Sequence, residues 1–169
     1  MNVSTPSKPT QGYARPPPAG PPLGGYGALV AVFAAAVSGA LLAIRRSGRE
    51  LPERIGAGDL ALLGTATHKL SRLIAKDKVT AVARAPFTTY EGSEGPSELS
   101  ESPRGTGLRR AVGELVSCPW CVGLWVAFAF ALGLVAAPRL TRLLASALSI
   151  LALSDFLQIA YKAAEERGL

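Results

Sequence analysis

The chain has 169 residues with 49% hydrophobic side chains, 18% charged side chains, a net charge of +6 and two cysteines. The mean hydropathy is +0.27, and the apolar residues are gathered into blocks rather than spread at the spacing of a water-soluble core. That distribution excludes an ordinary soluble domain. The absence of a Gly-rich phosphate loop, a His-containing zinc motif and a nucleophile elbow leaves no enzyme fingerprint to follow.

Residues 1–25 are rich in Pro, Gly, Ser and Thr, with seven prolines in the first 22 positions, and read as a disordered tail. Residues 26–44 follow without a charge and are long enough for a membrane span, for which about 20 apolar residues are needed. The tail is a poor signal-peptide n-region, and Arg45, Arg46 and Arg49 follow the run as stop-transfer charges do, so this is a retained anchor. Gly27, Ala31, Ala35 and Gly39 recur every four residues along it, a spacing that lets another helix approach closely and points to a membrane-protein partner or a second copy.

Residues 55–79 read as an amphipathic basic helix, with Leu60, Leu63, Leu70 and Ile74 on one side and Thr65, His68, Lys69, Arg72 and Lys76 on the other. Such a helix lies in the membrane interface or crosses as a further span with its cations turned to protein or snorkelling. Residues 80–117 read as a flexible polar loop, with an acidic, breaker-rich stretch over residues 91–105. Residues 118–137 and 140–160 are two more candidate spans, the second carrying only Arg142 and Asp155 within its apolar run. The fold class expected is therefore all-α and multi-pass: three transmembrane helices plus the amphipathic helix, with four transmembrane helices as the alternative.

Charge separates the two topologies. With three spans and an external N-terminus, 14 Lys and Arg lie inside and 4 outside; with four spans and an internal N-terminus, 10 lie inside and 6 outside. The three-span arrangement is favoured on that count. In both, the bilayer partner is the inner (cytoplasmic) membrane, and Cys118, Cys121, Arg72, Lys76, Asp77 and Asp155 fall at or near the cytoplasmic face. The positive charge is explained by topology, and no stacking aromatics interleave with the cations, so nucleic acid is not an expected partner.

The chemistry-bearing residues are few. Cys118-Pro119-Trp120-Cys121 opens the second span, with Pro119 at the first helical position and both thiols at the positive end of the helix, where thiolate is favoured. A reducing cytoplasm predicts a dithiol there. The thiol oxidoreductase alternative lacks a thioredoxin-like pattern around the pair. For the metal alternative, zinc, Cys118 and Cys121 supply two ligands and His68 a third, with nearby acids to complete the set. The reading preferred is small residues packing at a helix start, with no cofactor. Trp120 and Trp125 fit an interfacial belt. On the last helix Asp155 shares a face with Gln158 and Lys162, and an acid at that depth calls for a cation; Arg72 and Lys76 are the candidate ion-pair partners, with Asp77 beside them.

Residues 59–80, with Leu70-Ser71-Arg72-Leu73-Ile74-Ala75-Lys76-Asp77, then Arg84-Ala85-Pro86-Phe87-Thr88, then residues 114–126, with Cys118-Pro119-Trp120-Cys121-Val122-Gly123-Leu124-Trp125, together resemble the DUF1360 family of small bacterial membrane proteins. The similarity spans residues 59–162 and leaves the tail and first anchor outside. It implies a membrane location and a recurrent arrangement of these residues. The family has no assigned biochemical activity, and one member is associated with sporulation. The functional expectation is a structural or interaction component of the envelope, with a sporulation link through the resemblance.

Overall fold

The computed structural model describes residues 20–168. Of the tail expected over residues 1–25, residues 1–19 lie outside the described residues. Residues 23–25 already belong to α1 (Leu23–Arg46), which begins directly after Pro21 and Pro22 and so is longer than the charge-free run. Pro supplies a helix-ready φ and lacks only an N–H that the first turn leaves unpaired anyway. Arg45 and Arg46 sit in the last turn of α1, where the helix dipole favours cations, and Gly48 takes the left-handed conformation that turns the chain away.

α2 (Ala57–Ala75) is followed by the single-turn α3 (Ala81–Arg84), an antiparallel hairpin of β1 (Thr88–Ser93) and β2 (Leu99–Pro103), and α4 (Gly107–Ser117). α5 (Pro119–Ala136) and α6 (Pro138–Glu166) form a tight helical hairpin, each with Pro in its first turn. At its bend a methyl group on Gly133 would lie 2.8 Å from Thr141 Oγ1, so only glycine lets the two helices meet there.

Two features correct the sequence reading. The hairpin makes the architecture helical with a small sheet rather than all-α, and residues 80–117 are a built platform rather than a flexible loop. The physical reason is compensation: three of the four glutamates of the stretch are neutralised by cations that the sequence places elsewhere. Arg72, Lys76 and Arg84 pair with Glu98, Glu94 and Glu101. Backbone bonds from Lys78 N–H to Ser97 O (3.0 Å) and from Leu99 N–H to Lys76 O (2.9 Å) then stitch the hairpin to the end of α2.

α2 is the element that the sequence leaves between the membrane interface and a further span. Its 19 residues, about 28 Å long at 1.5 Å per residue, do not lie apart as a surface helix. Leu63 and Ala66 form the core cluster with Val126, Phe130 and Leu134 of α5 and Ala145 of α6. Ala66 and Ala145 have no exposed surface at all, which is what close helix approach requires.

Contacts along the helices fix their directions. α2 runs parallel to α6, because Asp59 meets Arg142 near both starts, Ser149 donates to Leu62 O (3.0 Å), and Lys69 meets Asp155 farther on. α1 runs parallel to α5: Tyr26 bonds Glu114 just before α5, Phe33 packs edge-on against Trp125 and Phe128 (ring centroids 5.0 and 5.1 Å), and Arg49 reaches Ala136 O. Gly25 seats α1 on α4, since a methyl group there would lie 2.7 Å from Ala111 Cβ. Because α5 and α6 are a hairpin, the four long helices alternate in direction. The start of α1, the end of α2, the β-hairpin, α4 and the start of α5 share one end, the platform end. α1, α5 and α6 are each long and apolar enough to cross a membrane. Their large side chains, among them Val30, Leu124, Ile150 and Leu153, mostly point outward.

Candidate functional site

The polar chemistry of the molecule is concentrated where α2 enters the platform. Arg72 makes a forked interaction with Glu98, Nε to Oε1 at 3.0 Å and Nη2 to both carboxylate oxygens at 2.6 Å. One turn on, Lys76 Nζ donates to Glu94 Oε2 at 2.6 Å. Asp77 accepts from Val79 N–H at 2.8 Å and so caps the turn that leaves the helix. The Arg–carboxylate fork fixes the orientation of the hairpin on the helix as well as adding attraction.

Asp155 is paired, but its partner is Lys69 rather than Arg72 or Lys76. The reason is register: with α2 parallel to α6 and Asp59 opposite Arg142, the residue that comes level with Asp155 is Lys69. Arg72 and Lys76 lie farther along and are taken by the hairpin. The acids Glu94, Glu98 and Glu101 were not singled out from sequence. The signal available was the run of glutamates over residues 91–101 following a helix side lined with cations.

Behind this rim lies a buried charge cluster that the sequence reading also passed over. Arg84 is 2% exposed and its side chain touches Glu101, itself 6% exposed. Arg84 donates further to Ile74 O (2.7 Å), Thr80 Oγ1 (2.7 Å) and Asp77 O (3.0 Å), while Thr88 Oγ1 donates to Glu101 Oε1 (2.9 Å). Every polar atom of the guanidinium is thereby occupied, and α2, α3 and both strands are tied to one side chain.

Two clefts flank Arg72 and His68. One, of about 630 Å³, lies between α2, α6 and the hairpin turn around Pro96, with Lys69, Asp155 and Phe156 on its wall. The other, of about 760 Å³, lies between α2 and α5 and is closed at the platform end by Glu94 and Glu98. His68 lies stacked over Phe156 with ring centroids 6.4 Å apart.

Cys118 caps α5, its Sγ accepting from Cys121 N–H at 3.3 Å. The two sulfurs are joined as a disulfide, with Cα atoms 5.3 Å apart, where the sequence reading expected a dithiol. The spacing of three residues around the first turn brings the thiols within bonding reach whatever the compartment. For the zinc alternative, no group of three or more His, Cys, Asp or Glu side chains able to hold a metal occurs among the described residues, and His68 is directed to Phe156 rather than to the cysteines. Trp125 packs on Phe33 of α1, whereas Trp120 is 89% exposed beside the second cleft.

Comparison with known proteins covers the same region. The chain is similar to the sporulation protein YjcA of Bacillus subtilis (strain 168), 37% identical over 71 residues, which are 40% of this chain and 60% of that protein. The chain thus spans about 60% of the length of that curated relative. No solved structure matches. Residues 62–161, which hold α2, the platform and the α5–α6 hairpin, match the model of a protein family of unknown function, and the chain belongs to that family, DUF1360.

Proposed function

We infer that this protein is a non-enzymatic component of the cytoplasmic membrane in which all four long helices cross the bilayer and the platform is a cytoplasmic interaction surface. The observation that carries the reading is the alternation of helix directions around α2. A helix packed against α5 and α6, parallel to α6 and in register with it from Arg142 to Asp155, occupies the depth of that stretch of α6. Lipid solvates the outward-facing apolar side chains of α1, α5 and α6, which in water would form an exposed patch of unusual size for a monomer.

The charge distribution orients the bundle. Lys76, Lys78, Arg84, Arg104, Arg109, Arg110, Lys162 and Arg167 lie on the platform side, against Arg45, Arg46, Arg49, Arg54, Arg139 and Arg142 on the other. The excess of cations belongs to the cytoplasm. The contact of Tyr26 with Glu114 supports the four-span alternative, which puts the starts of α1 and α5 at one end; α1, α5 and α6 remain the three helices apolar enough to cross by length and composition.

The similarity to a sporulation protein supports a role in spore formation for the same interaction surface. The test is deletion in the host bacterium, counting heat-resistant spores against vegetative growth. Complementation with a Cys118→Ala/Cys121→Ala double variant restores spore yield if the protein acts by interaction. An unchanged spore yield on deletion overturns the sporulation role, and loss of rescue by the double variant overturns the non-enzymatic one.

A further inference from the structure

The cleft between α2 and α5 has a composition that neither the ion-pair network nor the core packing requires. At its polar rim stand two cations and two anions, Arg72 and Lys76 with Glu94 and Glu98. Beyond these charges the walls carry Thr67, His68 and Ser71, and two glycines open the space between them: Gly64 on α2, where an added methyl group would meet nothing within 4 Å, and Gly123 on α5, whose methyl group would lie 3.9 Å from Ser71 Cβ. Trp120, 89% exposed, stands at the mouth, where an indole sits at headgroup level. The volume of about 760 Å³ falls within the ordinary range for small-molecule sites, about 300–1,000 Å³.

We propose that this cleft binds one phospholipid with a primary-amine zwitterionic headgroup, its phosphate taken by Lys76 and Arg72, its ammonium by Glu94 and Glu98, and an acyl chain laid along Gly64 and Gly123. The proposal rests on the membrane reading above. The choice of headgroup follows from charge complementarity. An anionic phosphoglycerol headgroup satisfies the two cations but meets two carboxylates. A choline carries positive charge without an N–H to donate. A phosphoethanolamine supplies ammonium donors to the glutamate oxygens and phosphate oxygens to the donors of Lys76 and Arg72 that the protein ion pairs leave over, and so joins the network with the pairs in place.

The test uses the full chain in detergent micelles doped with equal amounts of phosphatidylethanolamine, phosphatidylglycerol and phosphatidylcholine, read by native mass spectrometry. The expected result is a single retained lipid, with phosphatidylethanolamine at least about tenfold over the other two. Gly64→Leu places a side chain in the cleft from a position where the added Cβ meets nothing within 4 Å, in a helix that favours Leu over Gly, and abolishes retention while the protein stays folded by circular dichroism. Lys76→Gln combined with Glu94→Gln, whose carboxylate is half-exposed, removes the headgroup preference. Equal retention of all three lipids, or retention undiminished by Gly64→Leu, overturns the proposal. Glycerophosphoethanolamine, which has the headgroup and no acyl chains, is expected not to displace the lipid; equal binding of that soluble molecule overturns the lipid assignment. Extraction of the protein from membranes by alkaline carbonate would instead overturn the membrane reading, independently of the lipid result.

Discussion

Substituting Arg84 by Met removes the charge and keeps a flexible side chain of similar reach. In the wild-type structure Arg84 is 2% exposed and serves Glu101, Ile74 O, Thr80 Oγ1 and Asp77 O at once. The variant leaves Glu101, 6% exposed, with Thr88 as its remaining named partner. It also strips donors from two carbonyls and a hydroxyl, each costing roughly 1–3 kcal/mol if left without a substitute. Breaking a buried pair on one side costs about 3–5 kcal/mol in total, a large part of the roughly 5–15 kcal/mol that holds a domain together. For a chain of this size about 2–4 °C in Tm accompanies each kcal/mol, so Arg84→Met is expected to lower the melting midpoint by about 10 °C. The assay is loss of the monodisperse peak in size-exclusion chromatography of detergent-solubilised protein after heating. Because replacing both members of a buried pair by apolar side chains is often neutral, Arg84→Met with Glu101→Leu is expected to recover at least half of the loss. A shift below about 3 °C for the single variant refutes the claim that this cluster holds the platform together.

Three further outcomes follow from the contacts. Asp155→Asn and Lys69→Gln couple in a double-mutant cycle by about 0.5–1 kcal/mol, a modest value because Asp155 is 42% exposed, whereas Asp155→Asn and Arg72→Gln add; coupling to Arg72 instead would overturn the helix register. Gly113→Val drives a side chain into the Phe87 carbonyl and to within 3.2 Å of Pro103 Cβ, so it separates α4 from the hairpin and reduces folded yield severalfold, measured by the same chromatography. Purified without reductant, the protein keeps the Cys118–Cys121 disulfide, so a maleimide modifies neither cysteine until a reductant is added; labelling of both beforehand contradicts the bonded pair.

The sequence announced α1 and α5 through the length of their charge-free runs and α6 through an apolar run broken only by Arg142 and Asp155, since burial in lipid demands about 20 apolar residues and little else produces them. Pro119 and Pro138 mark two helix starts to the residue. α2 was legible as a helix with a basic side, but not as the centre of the bundle. Thr65 and Arg72 are exposed, whereas Lys69 is mostly covered; Lys69 is paired by Asp155 and Arg72 by Glu98, acids from segments distant in sequence. The platform was read as a loop for the same reason. Gly92, Gly95 and Pro96 advertise a turn, and four glutamates between residues 91 and 101 advertise solvent. The hairpin is held because Arg72, Lys76 and Arg84 meet Glu98, Glu94 and Glu101, a pairing that spacing along the chain does not encode. Arg84 itself stood in the Arg84-Ala85-Pro86-Phe87-Thr88 segment that carried the family resemblance, without any local sign that it is the most buried charge in the described structure.

Accessibility from outside the cell tests the four-crossing arrangement most directly. Single cysteines are introduced as Glu53→Cys, Ser93→Cys and Glu166→Cys in a Cys118→Ala/Cys121→Ala background, and protoplasts are treated with a membrane-impermeant maleimide before and after lysis. With α2 crossing the bilayer, Glu53→Cys is labelled in intact protoplasts, while Ser93→Cys and Glu166→Cys react only once the membrane is opened. Protection of Glu53→Cys until lysis, or labelling of Ser93→Cys from outside, contradicts the account.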